Sequence, residues 1–518
     1  MAIEKPPSTE KQDSPSASKD VVHLEAAGQQ DEAARADELA RGGKSERRVK
    51  LKIDLFILPL LASIYFLAQM GRSDLGNAKV AGLDQDLNLT PDMYANVASI
   101  FYVGYLIFQL PGTLLLRKIG PSNQVTANFS YEFVVRDAND KQFSSAMIGW
   151  GLVTVCTVKA STYGHMMAIR FLVGVTEAFI QGSILYLSFW YRYNELATRG
   201  AIVYSTSALA GSFNGILSYG VQRDLGGKNG WTAWQWIFFV EGLIPIIWAF
   251  AVLALLPPTP EKVRFGFSEA EKKQIVTRSR ASHNTGDGTI RPKLIIKLLL
   301  DPKFWMTTAI NCGNHFCANA LQNFIPALLH ESMGYTELQA QLMSVIVYAV
   351  TFVGILISCY ASDRLRLRGV VIMFDSALAC VGLVLLLTIT NNAGRFVATC
   401  ITTAGVYPIV VICLTWTATN HPGYTYRASA AALINVFSQA VAIAGNKSYN
   451  DPPYYRTGLG ASLGMVAMCG VVAGILDWHL KRLNEKKRRE QHTPEAEALR
   501  QMSIDEIGNK HPDFFFKY

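Results

Sequence analysis

Long apolar stretches follow one another along most of this chain, separated by short polar segments. An α-helix needs about 20 residues to cross the roughly 30 Å hydrocarbon core of a bilayer. Twelve stretches of this kind, with few charges, cover residues 53–69, 94–116, 146–164, 165–190, 200–221, 234–256, 304–329, 338–360, 370–390, 393–419, 427–446 and 459–480. The pattern predicts an all-α polytopic membrane protein with twelve transmembrane helices, the adjoining third and fourth being divided at Gly164 and His165.

A polar segment, residues 257–303, divides the twelve stretches into six and six. The two halves also resemble each other, because Gly112–Arg117 after the second stretch corresponds to Cys359–Arg364 after the eighth. A six-plus-six duplication is typical of transporters, in which two bundles rock about a site near the membrane midplane. We therefore predict two six-helix bundles, residues 51–256 and 304–480, joined by a cytosolic central loop.

The two ends of the chain are polar. Residues 1–50 contain too little apolar surface to fold alone and are predicted to be a disordered cytosolic tail without a cleavable signal peptide. Residues 481–518 are predicted to be a short, basic cytosolic tail. The segment 128–145 interrupts the third helix with charged residues, and it is either an unusual loop insertion or translated intron sequence.

Composition supports the membrane interpretation. The chain has 518 residues, of which 50% are hydrophobic and only 17% charged, against roughly a quarter charged in soluble proteins, which excludes an ordinary cytosolic enzyme. Its net charge of +8 comes from Lys and Arg in the tails and alternate loops. This is the distribution that orients membrane proteins, so we expect both termini in the cytosol and no nucleic-acid partner.

Several other function classes are excluded. The eight cysteines lie in apolar stretches without a CxxC pair, so neither a disulfide framework nor a zinc site is expected. The triplet at Gly43–Ser45 lacks the first glycine of a phosphate-binding loop, which argues against ATP hydrolysis. No metalloenzyme motif or channel filter is visible either. The sequence therefore indicates that the protein is not an enzyme and carries no metal or cofactor.

Six sequence segments resemble the major facilitator superfamily, and more narrowly its anion:cation symporter branch, the fungal allantoate and nicotinate permease group. The segments are Gly71–Ala78, Phe101–Tyr105, Arg170–Ala178, Leu187–Tyr191, Trp234–Gly242 and Ser362–Arg364. The resemblance runs from about Ile53 to the C-terminus. It differs from the branch in two places: Gly71 stands where the branch commonly has Asp, with an acid instead at Asp74, and Leu116 stands where a loop motif usually has Asp.

The resemblance implies proton-driven symport of a small organic carboxylate, nicotinate-like, into the cell across the plasma membrane by a monomer. The driving ion would be the proton, with no other cofactor. Another carboxylate, such as allantoate, pantothenate, biotin, tartrate or a phthalate-like acid, stays open as the substrate. A drug or metabolite exporter is disfavoured, because the Gly-Pro motif of the antiporters is missing from residues 208–221. A non-transporting nutrient sensor usually has a much longer cytosolic tail.

Ionisable residues inside membrane helices are costly, about 2.5–3.5 kcal/mol each on insertion scales, and are therefore candidates for function. Arg170 and Glu177 are seven residues apart on one face of the fourth helix, and Glu177 suits a proton carrier or a helix-bridging ion pair. Arg72, placed at the outer end of the first helix, is either the ligand of a substrate carboxylate or an interfacial anchor. Asp74 either tunes Arg72 or carries protons, and the alternative is a solvated acid in a loop.

A polar stripe follows the seventh helix. It consists of Asn311, His315, Asn319 and Gln322, and the eleventh helix repeats it with Asn435, Gln439 and Asn446. Lipid would penalise these faces, so they should line the substrate path or join helices. We predict that His315, Asn319, Gln322, Asn435 and Gln439 contact substrate and that Asn446 packs helices. Three residues are predicted to be structural: Glu241 near a helix end, and Asp363 with Arg364 as a cytosolic latch.

Overall fold

The computed structural model describes residues 16–119, 142–181, 186–187, 190–191, 193–257, 263, 266–283, 292–421, 424–491, 493–500, 509, 511–512 and 514–518. Contacts divide the chain into two units, Met1–Phe56 and Ile57–Tyr518. Of the first unit, the structure describes helical backbone from Ser16 onwards. The site residues discussed below belong to the second unit.

Within the described ranges, twelve long helices follow the order of the twelve apolar stretches. They are α1 (Ser16–Val80), α2 (Pro91–Ile119), α3 (Gln142–Cys156), α4 (Tyr163–Glu177), α5 (Tyr193–Leu225), α6 (Ala233–Leu255), α7 (Pro302–Ala327), α8 (Glu337–Leu365), α9 (Arg368–Thr388), α10 (Asn392–Asn420), α11 (Tyr424–Ser448) and α12 (Arg456–Glu490). Further α-helices, which do not correspond to apolar stretches, cover Leu83–Asp86, Glu269–His283, Pro292–Leu299 and Pro494–Arg500. The predicted all-α fold class is confirmed.

Helix α1 is longer than predicted at both ends. It begins at Ser16, inside the segment expected to be disordered, where Ala, Glu and Arg are strong helix formers. It also continues past Gln69 to Val80, so that Arg72 and Asp74 lie within the helix instead of at its end or in a loop. Residues 71–79 are polar enough to look like a loop, and only their burial among other helices explains why the helix continues.

The break between α3 and α4 also differs from its predicted position. Helix α3 ends at Cys156, a short 3-10 turn covers Thr157–Lys159, and α4 begins at Tyr163. The Thr162 side chain accepts a hydrogen bond from the backbone N–H of His165, which is an N-cap. The boundary predicted at Gly164 was therefore placed inside the helix. Of the predicted insert at 128–145, residues 128–141 lie outside the described residues, and the last four are the start of α3.

Seven described helices are long and apolar enough to span a membrane by composition alone. Helix α7 is not among them, because its polar stripe lowers its hydropathy. That stripe lies inside the protein: Asn311, Asn319 and Gln322 are each less than 10% exposed, and His315 is half-buried. The prediction that this face avoids lipid is confirmed, and the reason is the cost of leaving amides unbonded in hydrocarbon.

Helices of the N-terminal and C-terminal halves pack against each other in several pairs. Helix α2 packs against α11, and α5 packs against α8 and also touches α10. Glycines allow the close approach: a Cβ at Gly215 would lie 2.8 Å from the carbonyl oxygen of Gln341, and one at Gly76 would lie 2.6 Å from that of Asn323. A side chain at Gly215 would therefore force the helices apart.

The chain's last described residues, 514–518, cover one end of the C-terminal bundle. Lys517 exchanges two hydrogen bonds with the Asn420 side chain, both 2.8 Å, and its carbonyl accepts a third from Trp416 Nε1 at 2.7 Å. Phe516 makes the same two-bond exchange with Asn484, at 2.9 Å each. In each exchange an Asn side chain bonds both the backbone N–H and the carbonyl of one residue, as a neighbouring β-strand would. The segment therefore joins α10, which carries Asn420, to α12, which carries Asn484.

Lys487 and Asp301 secure the same end. Lys487 Nζ donates to the carbonyls of Asn509, His511 and Phe514 at 2.7–2.8 Å. Asp301 accepts hydrogen bonds from Asn509 and Tyr426, both 3.1 Å, and pairs with Lys303 at 3.2 Å. Burial alone would raise the pKa of Asp301, but the charge and hydrogen bonds of Lys303 hold it below its ordinary value. The sequence predicted only a short basic tail here.

Deletion of residues 511–518 is expected to lower the stability of the C-terminal bundle. Each lost hydrogen bond contributes about 1 kcal/mol, and the donors left on Trp416, Asn420 and Asn484 lose their partners. We expect the apparent melting temperature of the detergent-solubilised protein to fall by several degrees. Lys517→Ala is the matched control, because its side chain is exposed and its bonds use backbone atoms. Equal melting of the truncated and full-length proteins would contradict this role.

Candidate functional site

A buried ion pair joins α1 to α4. Arg72 Nε and Nη2 lie 2.6 Å and 2.5 Å from Glu177 Oε1. Arg72 is 8% exposed and Glu177 3%, so Arg72 is not an interfacial anchor. Glu177, which the sequence offered as a proton carrier or as part of a helix-bridging ion pair, joins α4 to α1 through Arg72. A guanidinium paired with a single carboxylate is the group that a second carboxylate can compete for.

Aromatic rings enclose the Arg72 guanidinium. Its central carbon lies 5.2 Å from the ring centre of Phe101 and 5.0 Å from that of Tyr105, both on α2. Tyr65 and Tyr204, whose rings are 5.7 Å apart, also lie within electrostatic range of Arg72. Rings exclude water while their faces stabilise the cation, which strengthens every charge interaction at this position.

Helix α7 brings the C-terminal half to the same region. Tyr102 donates from its hydroxyl to Asn319 Oδ1 at 2.9 Å, across the junction of α2 and α7. Asn319 Nδ2 donates to the carbonyl of His315 at 3.0 Å, so both ends of this amide are already bonded. His315 Nδ1 lies 3.0 Å from the carbonyl of Asn311, and the charge of Arg72 acts on its ring. Within the described residues, His315 Nε2 has no partner.

Some of the other predicted amides bond to a neighbouring helix, and others do not use all of their polar atoms. Gln322 Nε2 donates to the backbone carbonyl of Gln69 at 3.3 Å, joining α7 to α1. Asn323 donates to Asn446 Oδ1 at 3.1 Å, which confirms helix packing for Asn446. Gln439 is 4% exposed and its Oε1 finds no donor in the described part of the chain, while Asn435 is half-buried on the same helix. Gln439 is thus the α11 amide with a free acceptor.

A second buried network lies within the N-terminal half. It comprises Asp74 on α1, Arg170 on α4, Asn214 and Ser218 on α5, and Glu241 on α6, and we call it the Asp74 network. Asn214 Nδ2 donates to Asp74 Oδ1 at 2.9 Å, and Ser218 donates to Asn214 Oδ1 at 3.1 Å and more weakly to Glu241 Oε1 at 3.5 Å. Asp74 is 1% exposed, which overturns its reading as a solvated loop acid.

A third group closes one end of the junction between the halves. Lys79 Nζ, near the last turn of α1, lies 2.7 Å from Glu331 Oε1, just after α7, and 3.0 Å from the Tyr455 hydroxyl before α12. The Tyr455 hydroxyl also donates to Glu331 Oε2. The Lys79 ammonium lies 5.0 Å from the ring centre of Tyr94 and 6.0 Å from that of Phe324. These five residues, the Lys79 cluster, bridge the two halves.

Sequence reasoning missed the Lys79 cluster and assigned Glu241 only a structural role at a helix end. Glu241 in fact lies more than two turns inside α6. One signal pointed to Lys79: it follows Arg72 by seven residues, so both lie on one face of α1. Asp363 and Arg364, predicted to form a latch, are both exposed at the end of α8, where the charge of Asp363 acts on Arg368.

Comparisons with known proteins agree with this architecture. Residues 132–446 match the Major Facilitator Superfamily. An uncharacterized transporter of Schizosaccharomyces pombe is 30% identical over 86% of each chain. The high-affinity nicotinic acid transporter of Saccharomyces cerevisiae is 27% identical over 86% of this chain and 79% of its own. A bacterial homologue of the human lysosomal transporter Spinster, in an inward-facing conformation, shares the fold with a TM-score of 0.60, 14% identity and coverage of 82% and 96%.

Glu331→Gln is expected to destabilise the contact between the halves, because it leaves the buried Lys79 ammonium without a counter-charge. The loss should be on the order of 2 kcal/mol, below that of a fully buried pair because Glu331 is partly exposed. Thermal melting in detergent measures it, and the charge swap Lys79→Glu with Glu331→Lys should recover part of the loss. Arg223→Ala, in the exposed pair with Asp224, is the control and should change stability by less than about 0.5 kcal/mol.

Proposed function

This chain belongs to the major facilitator superfamily of membrane transporters, which are not enzymes, and on that basis we propose that it imports a small organic carboxylate by proton symport. The proposed substrate is nicotinate or a close analogue, the proposed membrane is the plasma membrane, and both termini face the cytosol. The driving ion is the proton, without a further cofactor, and the working unit is a monomer.

The buried Arg72–Glu177 pair carries this proposal. A substrate carboxylate binds a guanidinium through two parallel hydrogen bonds, which Glu177 does not make through its single oxygen. Protonation of Glu177 removes its negative charge, and this weakens its ion pair with Arg72. The guanidinium can then bind the substrate carboxylate. Uptake of the anion and of the proton are linked in this way, because each changes the charge that Arg72 faces.

The surroundings of Arg72 suit a flat aromatic acid. The rings of Phe101 and Tyr105 lie beside the guanidinium and offer faces for a heteroaromatic ring. His315 Nε2 and Gln439 Oε1, which have no partners among the described residues, are the proposed contacts for ring atoms. Asn319 acts by orienting Tyr102 instead of by contacting substrate, since both of its polar atoms are bonded. The relative that transports nicotinic acid supports this choice of substrate.

The Lys79 cluster is the part of the proposed transport cycle that opens and closes one side of the path to Arg72. We place this end on the outside of the cell, because α1 leads to it from the basic N-terminal side. Breaking the contacts of Lys79 with Glu331 and Tyr455 would open the path to Arg72 from outside, and restoring them would close it behind the substrate. The bundles then rock about the Arg72 region.

Proton coupling is tested by uptake in cells that lack their own permease. Labelled nicotinate is supplied at pH 5 and at pH 7.5, with and without a protonophore. We expect faster uptake at pH 5 and loss of accumulation with the protonophore. Uptake that ignores both treatments would reject proton coupling, and a panel of labelled allantoate, pantothenate, biotin and tartrate under the same conditions separates a wrong substrate from a wrong mechanism.

Arg72→Lys and Glu177→Gln separate the two roles at the pair. Lysine keeps the charge but cannot bind a carboxylate bidentately, so substrate affinity should fall about tenfold or more, since a charged hydrogen bond contributes about 1.5–3 kcal/mol. Glu177→Gln mimics the protonated state, so uptake at pH 7.5 should approach uptake at pH 5. Titration of the initial uptake rate against nicotinate concentration measures both. An Arg72→Lys variant with wild-type affinity would remove Arg72 from the substrate site.

A further inference from the structure

We propose that Arg395, in the first turn of α10, binds a small carboxylate anion from the outer solution, and that the transported carboxylate occupies this position before it reaches Arg72. The second part rests on the proposed function. The first part depends on the contacts of Arg395, Ser332, Tyr454 and Arg456, which we call the Arg395 site.

Arg395 is a buried cation without an acidic partner. It is 3% exposed, although it lies near the beginning of its helix. Tyr454 and Arg456 are the ionisable groups that act on it, and no carboxylate of the described residues pairs with it. Asp451 of the same loop caps α12 instead, accepting from the Thr457 backbone N–H at 2.9 Å and hydroxyl at 3.0 Å. An unpaired buried charge is costly, so an anion from solution would complete this site.

The Arg395 guanidinium also has hydrogen-bond donors to spare. Its Nη1 donates to the backbone carbonyl of Ser332 at 2.9 Å, which holds the two residues side by side. Arg395 Nε and the Ser332 hydroxyl are both buried, and neither has a hydrogen-bond partner in the part of the chain that the structure describes. A carboxylate has two oxygens that can accept from two neighbouring donors, and this is the geometry in which arginine binds carboxylates most specifically.

Tyr454 covers the site. Its ring centre lies 5.2 Å from the central guanidinium carbon of Arg395 and 5.6 Å from that of Arg456. Tyr454 is 51% exposed and Arg456 is exposed as well, so the buried guanidinium lies one ring below the protein surface. The ring stabilises the cation without neutralising it. Rotation of the Tyr454 side chain would admit an anion without a movement of the helices, and the positive charge of Arg456 attracts that anion to the surface.

The Arg395 site and the Lys79 cluster are built from the same two segments of the chain. Ser332 follows Glu331, and Tyr454 precedes Tyr455. Glu331 and Tyr455 contact the Lys79 ammonium at 2.7 Å and 3.0 Å. An anion that bonds to Ser332 and displaces Tyr454 therefore acts on the contacts that close this end of the path. The Arg395 site thus lies where a substrate from outside would be held while the Lys79 cluster opens.

Thermal melting of the purified protein in detergent tests the anion site without transport. Arg395→Gln keeps a donor for the Ser332 carbonyl but removes the charge, so without added anion it should melt at the wild-type temperature or above it. Nicotinate and benzoate at millimolar concentration should raise the melting temperature of the wild type more than that of Arg395→Gln, and least in the double variant with Arg72→Lys. Arg223→Gln, a matched change at an exposed arginine, should respond as the wild type does.

Three results would overturn the anion site as proposed. If Arg395→Gln melts several degrees below the wild type without anion, the charge is structural. If its response to both carboxylates equals that of the wild type, they do not bind at Arg395. If sulfate stabilises the protein through Arg395 and the carboxylates do not, the choice of a carboxylate is wrong. Arg395→Lys keeps the charge without the flat edge of two donors, so its response should be intermediate, and it gives the same comparison if Arg395→Gln cannot be purified.

Uptake measurements test the role in substrate entry. In Arg395→Gln, the nicotinate concentration for half-maximal uptake should rise about tenfold, as expected for the loss of a charged hydrogen bond, while the maximal rate changes much less. Arg456→Gln should raise it at low ionic strength only, because salt screens exposed charges. An unchanged half-maximal concentration in Arg395→Gln would refute the entry role. If benzoate stabilises the protein through Arg395 but no labelled carboxylate is taken up, the anion site stands and carboxylate import as the function is wrong.

Discussion

Charges buried between the helices must balance locally, because neither lipid nor protein interior solvates an isolated ion. The buried cations of α1 are accordingly matched: Arg72 by Glu177, and Lys79 by Glu331. The Asp74 network is an exception, since its two acids face one arginine whose Nε is unbonded.

Arg72, Asp74 and Lys79 follow one another along α1. Lys79 closes the junction of the halves, Arg72 lies two turns earlier on α1, and Asp74 is between them. Each is paired with a different element: Glu331 after α7, Glu177 on α4, and the α5 and α6 residues of the Asp74 network. Helix α1 is therefore joined by charged or polar contacts to α4, to α5 and to the segment that follows α7.

Polar side chains of α7 show how a membrane helix can be both amide-rich and stable. Asn319, Asn323 and the His315 ring each bond to a backbone carbonyl four residues earlier. Asn319 also accepts from Tyr102 on α2 through its oxygen, and Asn323 also donates from the same nitrogen to Asn446 on α11. The stripe was predictable from spacing, but the division into bonded and free atoms was not. Asn319 accepts a hydrogen bond from Tyr102, whereas Gln439 Oε1 and His315 Nε2 have no partners among the described residues.

The sequence alone determined the architecture, because the length and periodicity of an apolar stretch depend on the bilayer and on helix geometry, which are the same for every membrane protein. It also identified most residues of the site, since Arg72, Asp74 and Glu177 are conspicuous in an apolar setting. Only the tertiary structure decided the partners. Glu177 pairs with Arg72 and not Arg170, and Asp74 accepts a hydrogen bond from Asn214, 140 residues later in the chain. Side-chain contacts follow from how helices pack, and spacing within one helix carries no information about that.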